Sequence, residues 1–173
     1  MRKGRMCGVV LTVFLAVALL GGFSSPAQAE LVHFKELMSI VGIDPPEGWE
    51  VAKKPKGTTM KSPMQMSEAE VVFKSGDKRL EVKIVDGLGG VLPFMGMMRG
   101  MEMESSEEYM KSIEVQGFKG TESYKNNAKK GDIKLPVANR FLVTIEGKNI
   151  DTTEVLKEVA GKLDLKKLAG MAK

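Results

Sequence analysis

Five methionines fall within nine residues of this chain: Met95, Met97, Met98, Met101 and Met103. A thioether is a soft, uncharged donor that favours Cu(I), and Ag(I) by the same softness. It binds without releasing a proton. The spacings Met95-x-Met97, Met98-x-x-Met101 and Met101-x-Met103 could converge on one ion. The same residues carry two further readings. Methionine fills irregular gaps, and Phe94, Met97, Met98 and Met101 at helical spacing would cover a sheet as core or as an adaptable lid. A flexible methionine face also re-packs around varied apolar ligands or protein partners, which makes Phe94, Met97, Met98 and Met101 candidate contact residues. Glycines at 87, 89, 90, 96 and 100 would let such a segment hinge. Core or lid is the simplest of the three. Met60, Met64 and Met66 form a second group upstream.

Other chemistry is thinly represented. The single cysteine, Cys7, lies near the start, and the single histidine is His33. Cys7 falls within an expected signal peptide, so the mature chain would hold no cysteine and hence no disulfide, thiolate nucleophile or thiolate metal site. A lone histidine beside a helix start suits a local hydrogen bond better than a catalytic base. Neither G-x-S-x-G nor H-E-x-x-H occurs. Gly87-Leu88-Gly89-Gly90 lacks the Gly-Lys-Ser/Thr ending of a phosphate loop. Glu107-Glu108 is a carboxylate pair of the kind used in acid–base work, but it also suits a charged helix start. No catalytic constellation is recognisable, so the expectation is a non-enzyme with no cofactor unless Cu(I) is one. A hydrolase or other enzyme of unknown type is the remoter alternative.

The amino terminus indicates where these residues would work. Arg2, Lys3 and Arg5 precede an apolar run from Val9 to Leu20, and Ala27-Gln28-Ala29 follows Pro26. A basic region, an apolar stretch and a small-residue exit make a secretory signal peptide, cleaved after Ala29. The run falls short of the roughly 20 residues of a membrane span. Cys7 precedes the run, so it is misplaced for a lipid anchor. The expectation is a periplasmic or secreted chain from residue 30 to 173, one domain by its length, with no membrane span. Removing the three signal-peptide cations from the 26 basic residues leaves 23 against 22 acidic ones. Such near-neutrality argues against a nucleic-acid partner.

The elements that must position the candidates follow from periodicity. Phe34, Leu37, Met38 and Val41 share one helical face, ended by Gly42 and Pro45-Pro46. Trp49 leads into a short strand, and 53–67 reads as a polar loop. Ala69, Val71 and Phe73 alternate, then Leu80, Val82 and Ile84, with Gly76-Asp77 between them as a hairpin. Pro93 opens a helix weakened by Gly96 and Gly100. Ser105-x-x-Glu108 has the form of a capping box. Alternation resumes at Ile113 and Val115, through 118–124, at Ile133, Leu135 and Val137, and at Phe141, Val143 and Ile145. Asp151 would cap a helix presenting Val155, Val159 and Leu163, and Asp164 a final short one. Trp49, Phe73, Val82, Ile84, Phe118, Val143, Ile145, Val159 and Leu163 are expected in the core. The fold class expected is α+β: one antiparallel sheet of about five or six strands, with N- and C-terminal helices packed on one face.

Pro46-Glu47-Gly48-Trp49 after a helix, the strand Asn139-Arg140-Phe141-Leu142-Val143-Thr144-Ile145-Glu146-Gly147, and Asp164-Leu165-Lys166-Lys167-Leu168 occur in that order. Together with the methionine segment and Val115-Gln116-Gly117-Phe118-Lys119-Gly120, they resemble a group of small exported bacterial proteins of unknown function. The resemblance implies a compact envelope domain and brings no catalytic residues.

Overall fold

The computed structural model describes residues 30–88, 92 and 100–173. The signal-peptide reading of residues 1–29 lies outside the described residues, as do Phe94, Met95, Met97 and Met98.

Helix α1 (Phe34–Val41) starts at His33 and buries Leu37, Ile40 and Val41. It stops where the Gly42 amide turns back to the Met38 carbonyl at 3.0 Å. Eight strands follow among the described residues: β1 (Glu50–Met60), β2 (Met66–Ser75), β3 (Lys78–Asp86), β4 (Met103–Glu104), β5 (Glu108–Val115), β6 (Phe118–Lys125), β7 (Lys130–Val137) and β8 (Phe141–Lys148). Helices α2 (Glu154–Lys162) and α3 (Leu165–Gly170) close the chain. The strands form one antiparallel sheet in the order β1-β2-β3-β8-β7-β6-β5-β4. Two meanders, β1–β3 and β4–β8, therefore meet at the centre through β3 and β8.

An eight-stranded sheet corrects the expectation of five or six. The missing strands lie at the two edges. β1 occupies sequence that reads as loop because it is an edge strand with mostly exposed side chains. It carries Lys53, Lys54, Pro55 and Lys56, and its register slips between Val51 and Lys53 and again between Lys53 and Lys56. Lysine, proline and bulges are the usual protection of a free edge, and they erase the alternation that marks a strand. At the other edge, Ser105-x-x-Glu108 makes a turn between β4 and β5 instead of starting a helix. The Ser105 hydroxyl oxygen accepts from the amides of Glu107 and Glu108 at 3.3 and 3.0 Å. A serine oxygen satisfies the amide three residues on in a turn as readily as at a helix start.

One sheet face is apolar. Ala69, Val71 and Phe73 of β2, Leu80, Val82 and Ile84 of β3, Phe141, Val143 and Ile145 of β8, and Ile133, Leu135 and Val137 of β7 are all buried in one cluster with side chains of the three helices. The other face carries ion pairs such as Lys83–Glu70, Lys130–Glu146 and Lys134–Asp132. Trp49 and Phe118 are half-buried at the margin rather than in the core. The inner face of α2 is Leu156, Val159 and Ala160, with Leu163 just beyond, while Val155 is half-buried. The start of α2 sits low on the sheet because Gly131 and Gly147 lie beneath it. A β-carbon at Gly147 would fall 2.4 Å from Ile150 Cδ1, and one at Gly131 would fall 2.9 Å from Thr153 Cγ2.

Candidate functional site at the methionine-bearing edge

β4 is two residues long and pairs Met103 with Met110 and Glu104 with Tyr109. The chain follows β5 a little further back, since the Gly100 amide donates to Ser112 Oγ at 3.1 Å. Met101 and Met103 are 54% and 43% exposed. A groove of about 500 Å³ runs along this hairpin, lined by Glu102, Met103, Glu104, Tyr109, Met110 and Lys111. Of the five expected thioether donors, these two are the ones whose surroundings are described, and both face solvent.

Beneath the hairpin lies a polar node that sequence reasoning missed. Glu122 of β6 is fully buried. Its Oε1 accepts from Tyr109 Oη at 2.7 Å and from Thr153 Oγ1 at 2.6 Å. Lys111 Nζ stands 3.5 Å from Oε1, and Lys157 Nζ stands 3.5 Å from Oε2. Oε2 has no hydrogen-bond partner among the described residues. Burial pushes the carboxyl pKa up, but the Thr153 and Tyr109 hydrogen bonds and the charges of Lys157 and Lys111 outweigh it. The net effect holds Glu122 below the ordinary glutamate value and keeps it ionised. Burial, together with the anionic neighbour, raises the Tyr109 phenol. Thr153 is the residue before α2, and its hydroxyl is spent on Glu122 rather than on a helix cap. Asp151, expected to be that cap, pairs instead with Lys78 at 3.1 Å and Lys129 at 2.9 Å.

A second buried carboxylate, Asp86, ends β3 in the middle of the sheet. Its oxygens take Arg140 Nε at 3.0 Å and Nη2 at 2.8 Å, and the amides of Val32 and Gly87 at 2.8 Å each. Arg140 also donates to the carbonyls of Glu30 and Met171. Asp86-Gly87 reads in the sequence as a simple strand stop, and Arg140 as part of a strand motif; only the fold brings them together.

His33 and Glu108 have structural roles. His33 Nδ1 accepts from the Lys35 amide at 3.3 Å and caps α1. Glu108 pairs with Lys125 at 3.2 Å, and Glu107 stays exposed in the turn. Met60 and Met64 are exposed at the β1–β2 hairpin. β1 and β4 are opposite edges, seven strand spacings apart, so the two methionine groups are separated by about 34 Å of sheet width. Among the described residues, no three His, Cys, Asp or Glu side chains are grouped to hold a metal ion, and no helix is long and apolar enough to cross a membrane. The chain matches no family model, and no curated protein or solved structure shows significant similarity to it.

Proposed function

We propose that the protein is a non-enzymatic binding or accessory module of the bacterial envelope, acting in the periplasm after loss of its signal peptide. Its contact surface is the methionine-bearing edge, and its partner is an envelope protein or a small apolar ligand. One observation carries this reading: Met103 stands exposed in the lining of a groove of about 500 Å³, and Met101, two residues earlier, is exposed as well. Burying a methionine side chain is worth about 1.5–3 kcal/mol, so the exposed parts of Met101 and Met103 leave apolar surface available to a partner. Flexible thioether side chains suit a surface that adapts to its partner. The export signal and the resemblance to small exported bacterial proteins support the location.

Native mass spectrometry of the chain isolated from periplasm tests the reading, combined with oxidative footprinting of Met101 and Met103. Added mass together with protection of these two methionines relative to refolded protein is the expected result. A bare mass with unchanged oxidation overturns it.

A second reading is Cu(I) or Ag(I) binding through methionine sulfur, with Met95, Met97, Met98, Met101 and Met103 as donors. It is favoured by the Met101-x-Met103 pair, whose thioethers are not committed to the core. Anaerobic titration of the variant with all five replaced by leucine tests it. Unchanged uptake eliminates that donor set.

A further inference from the structure

We propose that Met101, Met103 and Met110 form a three-thioether site for a soft monovalent metal ion, Cu(I) or Ag(I). This rests on the soft-metal reading above and gives it a location. Met110 lies outside the methionine-dense segment, and its part depends on strand register.

Met103 and Met110 are directly opposed across β4 and β5. Opposed residues in an antiparallel pair place their β-carbons about 4.5–5.5 Å apart on the same face, and both residues line one groove. The Gly100–Ser112 hydrogen bond keeps the chain beside β5 two residues beyond Met110, so Met101 lies along the same stretch of edge. Thioethers are neutral and flexible, so three of them can close on an ion without a proton leaving or a carboxylate being drawn in. Glu102, Glu104 and Lys111 also line this groove, but the Lys111 ammonium is engaged elsewhere. Lys111 follows Met110 in the strand and so points to the opposite face, where its ammonium lies over the Tyr109 ring at 5.0 Å and beside Glu122 at 3.5 Å. The other methionine group cannot contribute, because Met60 and Met64 belong to the hairpin that ends β1 at the far edge. The proposed chemistry is simple coordination of an ion already in the +1 state, with no electron transfer.

The experiment uses folded chain from residue 30 onward, with methionine methyl groups labelled with ¹³C. It is titrated anaerobically with Ag(I), and with Cu(I) against a chromogenic Cu(I) chelator. One equivalent should shift the methyl signals of Met101, Met103 and Met110 and leave Met60 and Met64 in place. Met110→Leu keeps the bulk and removes the sulfur. It should weaken binding at least about tenfold, since even changes outside the ligand shell cost metal sites that much. Met64→Leu should leave affinity unchanged, and thermal melts of each variant verify folding. Wild-type affinity in a folded Met110→Leu chain overturns the location. If the five-leucine variant then loses binding, the soft-metal reading survives without this site. If the wild-type chain competes for neither ion, both are overturned.

Discussion

Asp86 and Glu122 are both buried carboxylates, yet their surroundings differ. Asp86 has a two-pronged guanidinium and two backbone amides, so both of its oxygens are satisfied. Glu122 has two hydroxyls on one oxygen and an ammonium 3.5 Å from the other, which lacks a hydrogen bond. Burying a charge is costly unless it is paired and hydrogen-bonded. Asp86 meets that condition with groups fixed by the backbone and a planar side chain. Glu122 meets it with a phenol, a threonine and two flexible lysines drawn from β5 and α2. The first arrangement fastens strands at the sheet centre. The second supports a short edge hairpin whose outward side chains are left to solvent.

Replacing one member of each node measures the difference. Arg140→Met leaves Asp86 buried without its cation and should cost about 3–5 kcal/mol in chemical denaturation, as breaking a buried pair does. A loss under about 1 kcal/mol would mean the pair is not closed as described. Glu122→Gln keeps the shape but removes the charge that Lys111 and Lys157 face. It should cost about 1–3 kcal/mol, with the loss confined to β5, β6 and α2 in hydrogen exchange. The same variant should change the acid response. Because the folded carboxyl titrates below its usual value near 4.5, its contribution is complete above that pH and fades as pH falls through the lower folded value. The wild-type chain should therefore lose its advantage over Glu122→Gln below about pH 4.5; equal acid titration of both would remove the charge from the account. Tyr109→Phe takes away one hydrogen bond and should cost about 0.5–1.5 kcal/mol. At the bottom of the scale, Met101→Leu and Met103→Leu should alter stability by no more than about 0.5 kcal/mol, as exposed positions do. A larger loss would place these side chains in the fold rather than on its surface.

The central strands were legible because one face of each enters the core. Ala69, Val71 and Phe73, or Phe141, Val143 and Ile145, announce β2 and β8 by alternation, with Val72 the one extra buried apolar residue among them. Edges lack that signal. β1 needs lysines, a proline and bulges where a core strand would need valine, and β4 is too short to alternate at all. The strand count went wrong for that reason. At the candidate site, the types and crowding of Met101 and Met103 were visible in the sequence, but the pairing of Met103 with Met110 is a matter of register. Glu122 was invisible. Within Thr121-Glu122-Ser123 it reads as one more solvated charge, and it is inward-facing because Tyr124, two residues on, is part of the core. No local pattern joins it to Thr153, 31 positions away. The capping reading of Asp151 failed on the same ground: two lysines from β3 and the β6–β7 turn reached it first.

The Arg140 guanidinium touches the backbone of Glu30 and of Met171 at once, so residues 30 and 171 meet beside Asp86, at one strand end in the middle of the sheet. In strand register Asp86 is five residues and four strands from Met110, about 17 Å along the sheet and 19 Å across it. A tether, label or fused domain joined at residue 30 or 171 would stand away from the thioether edge. Immobilised through either end, the molecule would still present that edge outward.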